Sequence, residues 1–240
     1  MAGEVRAPRT ALIIPVLNEE ATIGAVVRAV PRQWIGEVIV VDGGSRDRTV
    51  AEAAAAGART LVVTERGYGR ACQAGAQAAH RDAKIIVFLD GDGSDDPAQI
   101  PQLLVPIVSQ GADFVLGART NPARERGSMT VLQVWSGHLV GLALWARYRV
   151  RYTDMSPFRA IKREALDQLG MREMTYGWNL EMQMRAAAAG LTIVEVPVAT
   201  RRRAGGESKV SGSLRGTLVA GTRIITTLMR IGLERRPATR

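Results

Sequence analysis

The 240-residue sequence has one cysteine, two histidines and only 5% aromatic residues. Cys72 alone cannot close an intrachain disulfide, and without a Cys/His cluster no structural zinc site is expected. No stretch reaches the roughly 20 consecutive apolar residues that a membrane-spanning helix requires. The opening MAGEVRAPRT leads into a short apolar stretch broken at Pro15, so no signal peptide is expected and the chain reads as soluble and cytoplasmic. The turn after the first apolar run, PVLNEE, lacks the glycines of G-x-G-x-x-G, which argues against a dinucleotide-dependent dehydrogenase. The pattern G-x-x-x-x-G-K-[ST] is missing too, which argues against a P-loop NTPase.

What is present begins with 46% hydrophobic residues, enough for one domain with a buried core. We expect residues 1–240 to form that one domain, with a first half over about 10–120, a second over about 120–213 and a tail helix over about 214–233. The net charge of +9 is unevenly placed. From residue 201 onward ten Lys/Arg stand against Glu207 and Glu234, while the first 200 residues are nearly neutral. A basic tail on a neutral body suits an anionic partner (phosphate groups, anionic lipid or nucleic acid) or a simple solvated surface.

Apolar runs predict strands at 11–16, 38–41, 61–63, 85–89 and 114–116, with alanine-rich helical patterns at about 20–30, 47–56, 69–80 and 97–109. Gly57 and Gly111 sit where helix C-terminal glycines belong, and Pro31 ends the first helix. Strand–helix alternation with short, doubly apolar strands predicts a parallel sheet covered on both faces. Ligands of such sheets bind at the carboxyl ends of the strands. There the sequence places Asn18 and Glu19, Asp42, Asp90 and Asp92, and Arg119. The second half is less regular. Residues 119–129 form a basic loop, and 201–213 are rich in Gly, Ser and Lys/Arg, again a loop. Residues 131–150, with Trp135 and Trp145, are a core helix by default; the alternative is an interfacial helix with tryptophans and arginines at headgroup level.

Four aspartates crowd the stretch FLDGDGSDDP, residues 88–97. An EF-hand starting at Asp90 fails, because Asp95 stands where glycine is needed and Pro101 where glutamate is needed. Asp96-Pro97 matches an N-cap with proline at the first helical position. Asp90 and Asp92 end a strand, and two hard oxygen donors on a glycine-containing turn suit Mg²⁺ or Mn²⁺ shared with phosphates. Asp95 is assigned to neither group.

The chain resembles the GT-A fold glycosyltransferases of family 2, and among them the dolichol-phosphate mannose synthase-like branch. The matching pieces are LIIPVLNEEATIG (12–24), VIVVDGGSRDRT (38–49), GYGRACQAG (67–75), FLDGDGSDDP (88–97), GAR (117–119), DMSPFRAIKREAL (154–166), YGWNLEM (176–182) and RAGGESK (203–209). The resemblance implies an α/β fold with a mostly parallel central sheet flanked by helices. It places Pro15, Leu17, Asn18 and Glu19 along the nucleotide, Asp42 near the base and Arg70 beside it. Asp90 and Asp92 would be the metal pair on the donor's diphosphate. Arg119 would stand by the sugar or the acceptor phosphate, Glu181 near the sugar, and Arg203, Ser208 and Lys209 on a loop over the diphosphate. Structural alternatives stay open: Glu19 as a helix-start charge, Arg70 as a solvated residue, Glu181 as a surface partner of Arg185.

Two departures stand out. Gly43 occupies the place of a second aspartate, and Ser156-Pro157 precedes Phe158 where a glycine is more usual, which implies a stiffer acceptor side. The resemblance implies a metal-dependent inverting glycosyltransferase acting from a nucleotide-sugar donor on an acceptor, with a polyprenyl phosphate among the candidates. Asp92, Arg119, Glu181 and Arg203 would carry the chemistry, Glu181 serving as base if the acceptor is a hydroxyl. No nucleic-acid partner is expected, and membrane-surface contact would use 131–150 and the basic C-terminal region. The rivals are a sugar nucleotidyltransferase, whose glycine-rich basic signature is missing here, and a non-catalytic nucleotide or anionic-lipid binder.

Overall fold

A computed structural model describes residues 9–122, 124, 125, 127, 128 and 131–203. Ser208, Lys209, the basic C-terminal region beyond Arg203 and the expected helix over 214–233 lie outside the described residues.

The strands β1 (Thr10–Val16), β2 (Glu37–Asp42), β3 (Arg59–Val62), β4 (Ile85–Phe88), β5 (Phe114–Ala118), β6 (Arg159–Lys162) and β7 (Ile193–Pro197) form one sheet in the order β3-β2-β1-β4-β6-β5-β7. All neighbours run parallel except β6, which lies antiparallel between β4 and β5. The expected mostly parallel α/β architecture is therefore found. The parallel half was legible because its strands are apolar on both faces. The strands β6 and β7 were not expected: Arg159-Ala-Ile-Lys162 carries two cations and Ile193–Pro197 a glutamate, so neither resembles a buried strand. The strand expected at 61–63 begins earlier, at Arg59, on the sheet edge where one face is open.

Alternation along each inner strand feeds two cores. Leu12, Ile14, Val38, Val40, Ile85 and Val87 face α1 (Ile23–Arg28), α2 (Thr49–Ala55) and α4 (Ile100–Gln110). Ile13, Ile39, Val41, Ile86 and Phe88 face α3 (Tyr68–Ala78), α5 (Val131–Tyr148), α6 (Arg163–Leu169) and α7 (Trp178–Ala188). A residue shift in any inner strand would exchange these two sets, so the register is strongly specified. Trp178 sits edge-on to Phe88, ring centres 6.3 Å apart, and anchors α7 to the sheet. Gly111 ends α4 in the left-handed conformation.

The helix α5 is a core helix on one face only. Gly137, Val140, Gly141 and Leu144 are buried, and a Cβ on Gly141 would lie 2.0 Å from the Tyr152 carbonyl oxygen. The opposite face exposes Trp135, Leu142 and Trp145, with the Arg149 guanidinium 5.2 Å from the Trp145 ring. Among the described residues no helix is long and apolar enough to cross a membrane.

The helix α3 packs on the sheet through Gly75, where an added Cβ would stand 2.4 Å from Ile13 Cγ2 and 2.9 Å from Val41 Cγ2. Both neighbours are fully buried, so neither can yield without disturbing the sheet. Gly75→Ala is expected to lower stability by about 1–3 kcal/mol, read as a shifted urea midpoint with an unchanged m-value.

Candidate active site

The carboxyl ends of β1, β2 and β4 meet in one crevice. Two loops are braced there against each other, 17–20 after β1 and 43–48 after β2. Asn18, at φ 52°, donates its backbone N–H to Ser45 Oγ (2.8 Å) and accepts from Arg46 N at Oδ1 (2.9 Å). Glu19 N donates to Thr49 Oγ1 (2.8 Å), and Arg48 N to Glu20 Oε2 (3.0 Å). Asp42 closes the second loop by accepting from Gly44 N (3.0 Å), Ser45 N (2.9 Å) and the Ser45 hydroxyl. Pro15 is buried in β1 beyond the last β1–β4 pair, Ile13↔Phe88, so its missing N–H costs that ladder nothing. Leu17 is half-buried at the rim of the same loop.

The D-G-D turn follows β4. Gly91 is demanded by space, since a Cβ there would lie 2.5 Å from Val16 Cγ1. Thr22 donates its hydroxyl to the Gly91 carbonyl (2.8 Å), tying the start of α1 to the turn. Asp90 accepts from the Tyr68 hydroxyl (3.1 Å), and Asp92 accepts from Ser94 N at Oδ1 (2.9 Å). Asp96 accepts from Ala98 N (3.0 Å) ahead of Pro97, the capping arrangement expected for it.

A strap over residues 198–203 lies across this turn. Gln99 clamps Ala199 from both sides, accepting from its N–H (2.7 Å) and donating to its carbonyl (3.0 Å). Arg201 N donates to the Ser94 carbonyl (2.9 Å), and Asp95 bridges Thr200 in an isolated antiparallel pairing. The strap delivers Arg203, whose guanidinium stands 2.8 Å from Asp92 Oδ2 and 3.3 Å from Glu19 Oε1. The position in front of Asp92 is thus one that accepts positive charge. Two carboxylates there fit a hard divalent ion such as Mg²⁺ or Mn²⁺ that takes its other ligands from diphosphate and water. Among the described residues no three His, Cys, Asp or Glu side chains converge on a single metal position.

On the far side of the crevice Arg119 makes a two-point contact with Asp154, Nε to Oδ2 at 2.8 Å and Nη2 to Oδ1 at 2.9 Å, and its own N–H also reaches Oδ2 (2.9 Å). Burial alone would raise the Asp154 carboxyl, but the Arg119 charge and hydrogen bonds hold it below the usual carboxylate value. Asp95 lies among these groups: the charges acting on it are those of Arg119, Asp92 and Asp154. It is 2% exposed, and neither of its carboxylate oxygens has a hydrogen-bond partner among the described residues.

Two expected site residues are placed differently. Glu181 is fully buried and spends one oxygen on Arg185 Nε (2.9 Å) and the other on Arg172 N (2.9 Å) and Glu173 N (2.6 Å). It holds the 172–173 backbone, and this corrects the expectation of a base near the sugar; its i,i+4 partner was foreseen, though as a surface pair. Arg70 pairs with Glu65 (2.7 Å) beside the edge strand β3, while Tyr68, two residues earlier, is the residue of that segment that reaches Asp90. Tyr68 and Asp154 were missed. Both lie inside quoted motifs, and a tyrosine or a carboxylate flanking a glycine or Ser-Pro turn was the signal available.

With this geometry in view, comparison with known proteins is decisive. Residues 11–170 match the model of glycosyl transferase family 2. The chain belongs to that family. An uncharacterised glycosyltransferase of Mycobacterium tuberculosis is 38% identical over 92% of this chain and 96% of its own. The undecaprenyl-phosphate mannosyltransferase of Micrococcus luteus is 34% identical over 88% of this chain and 91% of its own, which places this family 2 enzyme in the dolichol-phosphate mannose synthase-like branch. Among solved structures, the M. tuberculosis glucosyl-3-phosphoglycerate synthase in complex with Mn²⁺, UDP-glucose and phosphoglyceric acid has a TM-score of 0.75 at 25% identity, covering 95% of this chain and 81% of that one. The fold is GT-A.

In this glycosyltransferase, burial and the negative charges of Asp92 and Asp95 push Asp90 up to about 8, and burial pushes Asp95 up to about 7 against the pull of Arg119. A carboxyl raised by folding holds a proton that the unfolded chain has released. Its stabilising contribution is therefore present at low pH and lost as the pH rises through the raised value. The protein freed of divalent metal by chelator is expected to melt at lower temperature as the buffer goes from about pH 5 to about pH 8, with a shallower fall in Asp90→Asn. Equal slopes for the two proteins would contradict the placement of Asp90.

Proposed function

We propose that the crevice binds a nucleotide sugar together with Mg²⁺ or Mn²⁺ and transfers the sugar, with inversion, to a polyprenyl phosphate. The observation that carries this is the junction of Asp92, Arg203 and Glu19, where the carboxylate turn after β4, the loop after β1 and the strap meet within one guanidinium's reach. The braced loops 17–20 and 43–48 would receive the nucleoside, with Pro15, Leu17, Asn18, Glu19 and Asp42 forming that end of the crevice and Arg70 beside it. Asp90 and Asp92 would hold the metal, which when bound acts as a Lewis acid for the diphosphate. Arg203 adds fixed positive charge where the leaving group's charge develops, with no reorganisation needed at that moment. The names of the M. luteus mannosyltransferase and of the Mycolicibacterium smegmatis polyprenol monophosphomannose synthase (31% identical over 85% of this chain) support the lipid-phosphate acceptor.

A phosphate acceptor is already anionic and needs no general base, consistent with the engagement of Glu181 elsewhere. Arg119 and Arg124, at the end of β5 and on the loop that leaves it, would face the acceptor phosphate. Ser208 and Lys209, outside the described residues, would complete the cover of the diphosphate. The exposed face of α5, with Trp135, Leu142 and Trp145 next to Arg147 and Arg149, would rest on the membrane surface and present the lipid.

Purified protein with Mn²⁺, polyprenyl phosphate and a panel of UDP-, GDP- and dTDP-sugars is expected to release nucleoside diphosphate with at least one donor. Asp92→Asn is expected to lower that release by about 10²-fold or more. No turnover on any donor, or a fully active Asp92→Asn, would overturn the reading. Vesicle flotation tests the α5 face: replacing Trp135 and Trp145 together with serine should cut recovery with anionic vesicles several-fold, and unchanged recovery would remove α5 from the membrane contact.

A further inference from the structure

The turn at Asp92 gives its two carboxylate oxygens different work. Oδ1 accepts from Ser94 N (2.9 Å), a backbone donor that the turn itself fixes. Oδ2 is the oxygen the turn does not use, and Arg203 Nη2 stands 2.8 Å from it. Through Nη1 the same guanidinium reaches Glu19 Oε1 (3.3 Å). The Asp92 and Glu19 side chains are 8% and 7% exposed and that of Arg203 is 28% exposed, so the arginine is the member of the group that still meets solvent.

A divalent ion held by Asp92 needs that same oxygen. Mg²⁺ takes carboxylate oxygen at about 2.0–2.1 Å, where a guanidinium already in contact with the oxygen crowds it and repels it by like charge. The two occupants are therefore alternatives. One can replace the other without moving the strap's main chain. Gln99 clamps Ala199, Arg201 N donates to the Ser94 carbonyl (2.9 Å), and Arg202 N donates to Glu125 Oε2 (2.8 Å), so the backbone is seated as far as Arg202. Beyond that seat the long Arg203 side chain is free to turn about its own bonds. A partly exposed ion pair of this kind is weak, and a guanidinium gives it up for a stronger partner.

We infer that Arg203 is a placeholder for the divalent ion: in the metal-free protein it neutralises Asp92 and Glu19, and it leaves them for the diphosphate when metal and nucleotide arrive together. This rests on the metal and nucleotide reading given above and deepens it by setting the order in which the site fills. Metal alone has to displace the guanidinium with nothing to receive it. A nucleoside diphosphate supplies the receiver, because arginine pairs with phosphate oxygens through two parallel N–H bonds. Arg203 thus couples the two ligands, each raising the affinity for the other by the same factor. The exchange also spares the protein a half-buried Asp92 carboxylate without a cation, the costly state when one partner of such a pair is removed.

The test is Mn²⁺ binding to wild type, Arg203→Ala and Arg203→Gln, followed by the paramagnetic resonance of the free ion, with and without UDP or GDP. Arg203→Gln keeps most of the side chain's reach and removes its charge. Without diphosphate, both variants should bind Mn²⁺ about threefold tighter or more, because the competing charge of a partly exposed pair is gone. With the diphosphate that tightens Mn²⁺ binding most in wild type, the tightening in the variants should fall by at least the same factor, because the coupling ran through Arg203. An arginine that only braces the strap, or only holds the diphosphate, does not raise the bare protein's affinity for metal when it is removed. Unchanged or weaker Mn²⁺ binding by either variant without diphosphate overturns the placeholder. Tightening as large in the variants as in wild type overturns the exchange. Mn²⁺ binding absent from wild type and variants alike fails the metal reading itself, a result distinct from equal and measurable affinities.

Discussion

Everything at the working end of this protein depends on keeping Asp90, Asp92, Asp95 and Asp154 close together at low exposure. Like charges at such spacing repel, and burial multiplies the repulsion. Two arginines offset it. Arg119 neutralises Asp154 through a two-point contact, and Arg203 spans Asp92 and Glu19. Burial and like charge push Asp90 up to about 8 and Asp95 up to about 7, and a divalent ion bound at the turn would favour the charged form of Asp90 again.

The scaffold does this through the ends of its strands. Because β1, β2 and β4 run parallel and adjacent, their carboxyl ends open on the same edge, and three segments distant in sequence converge without long loops. The antiparallel β6 then brings Asp154 and Ser156 to that edge from the opposite direction, directly beside β4. The strap at 198–203 is the last piece. It adds no strand to the sheet, yet the Gln99 clamp and the pairing with Ser94 and Asp95 give it a fixed seat, and Arg203 is positioned by that seat.

Much of this was legible in the amino-acid sequence, for identifiable reasons. Apolar runs such as Leu12–Ile14, Val38–Val41 and Ile85–Val87 announce parallel strands because both faces must be covered. Asp96-Pro97 announces a helix start because the cap needs an acceptor and the first turn needs no N–H. The D-G-D turn is visible because glycine permits a backbone approach that any Cβ would block. Other features depend on tertiary contacts that leave no local trace. Glu181 and Arg185 show their i,i+4 relation, but nothing local says that the pair is buried and grips the 172–173 backbone. The two-point contact of Arg119 with Asp154 joins residues 35 positions apart. The strand β6 hides behind Arg159, whose buried guanidinium donates to the carbonyls of Ser156 and Asn179, partners that only the fold supplies.

The central claim is that Asp90 and Asp92 form a divalent-ion site completed by a nucleoside diphosphate. Titration of Mn²⁺ followed by the loss of its free electron paramagnetic resonance signal tests this directly, with and without UDP or GDP. The account predicts weak binding to the protein alone, tightening about tenfold or more with one of the two diphosphates, and loss of that tightening in Asp90→Asn and Asp92→Asn. Equal Mn²⁺ affinity with and without both diphosphates, or tightening that persists in the two variants, would contradict it.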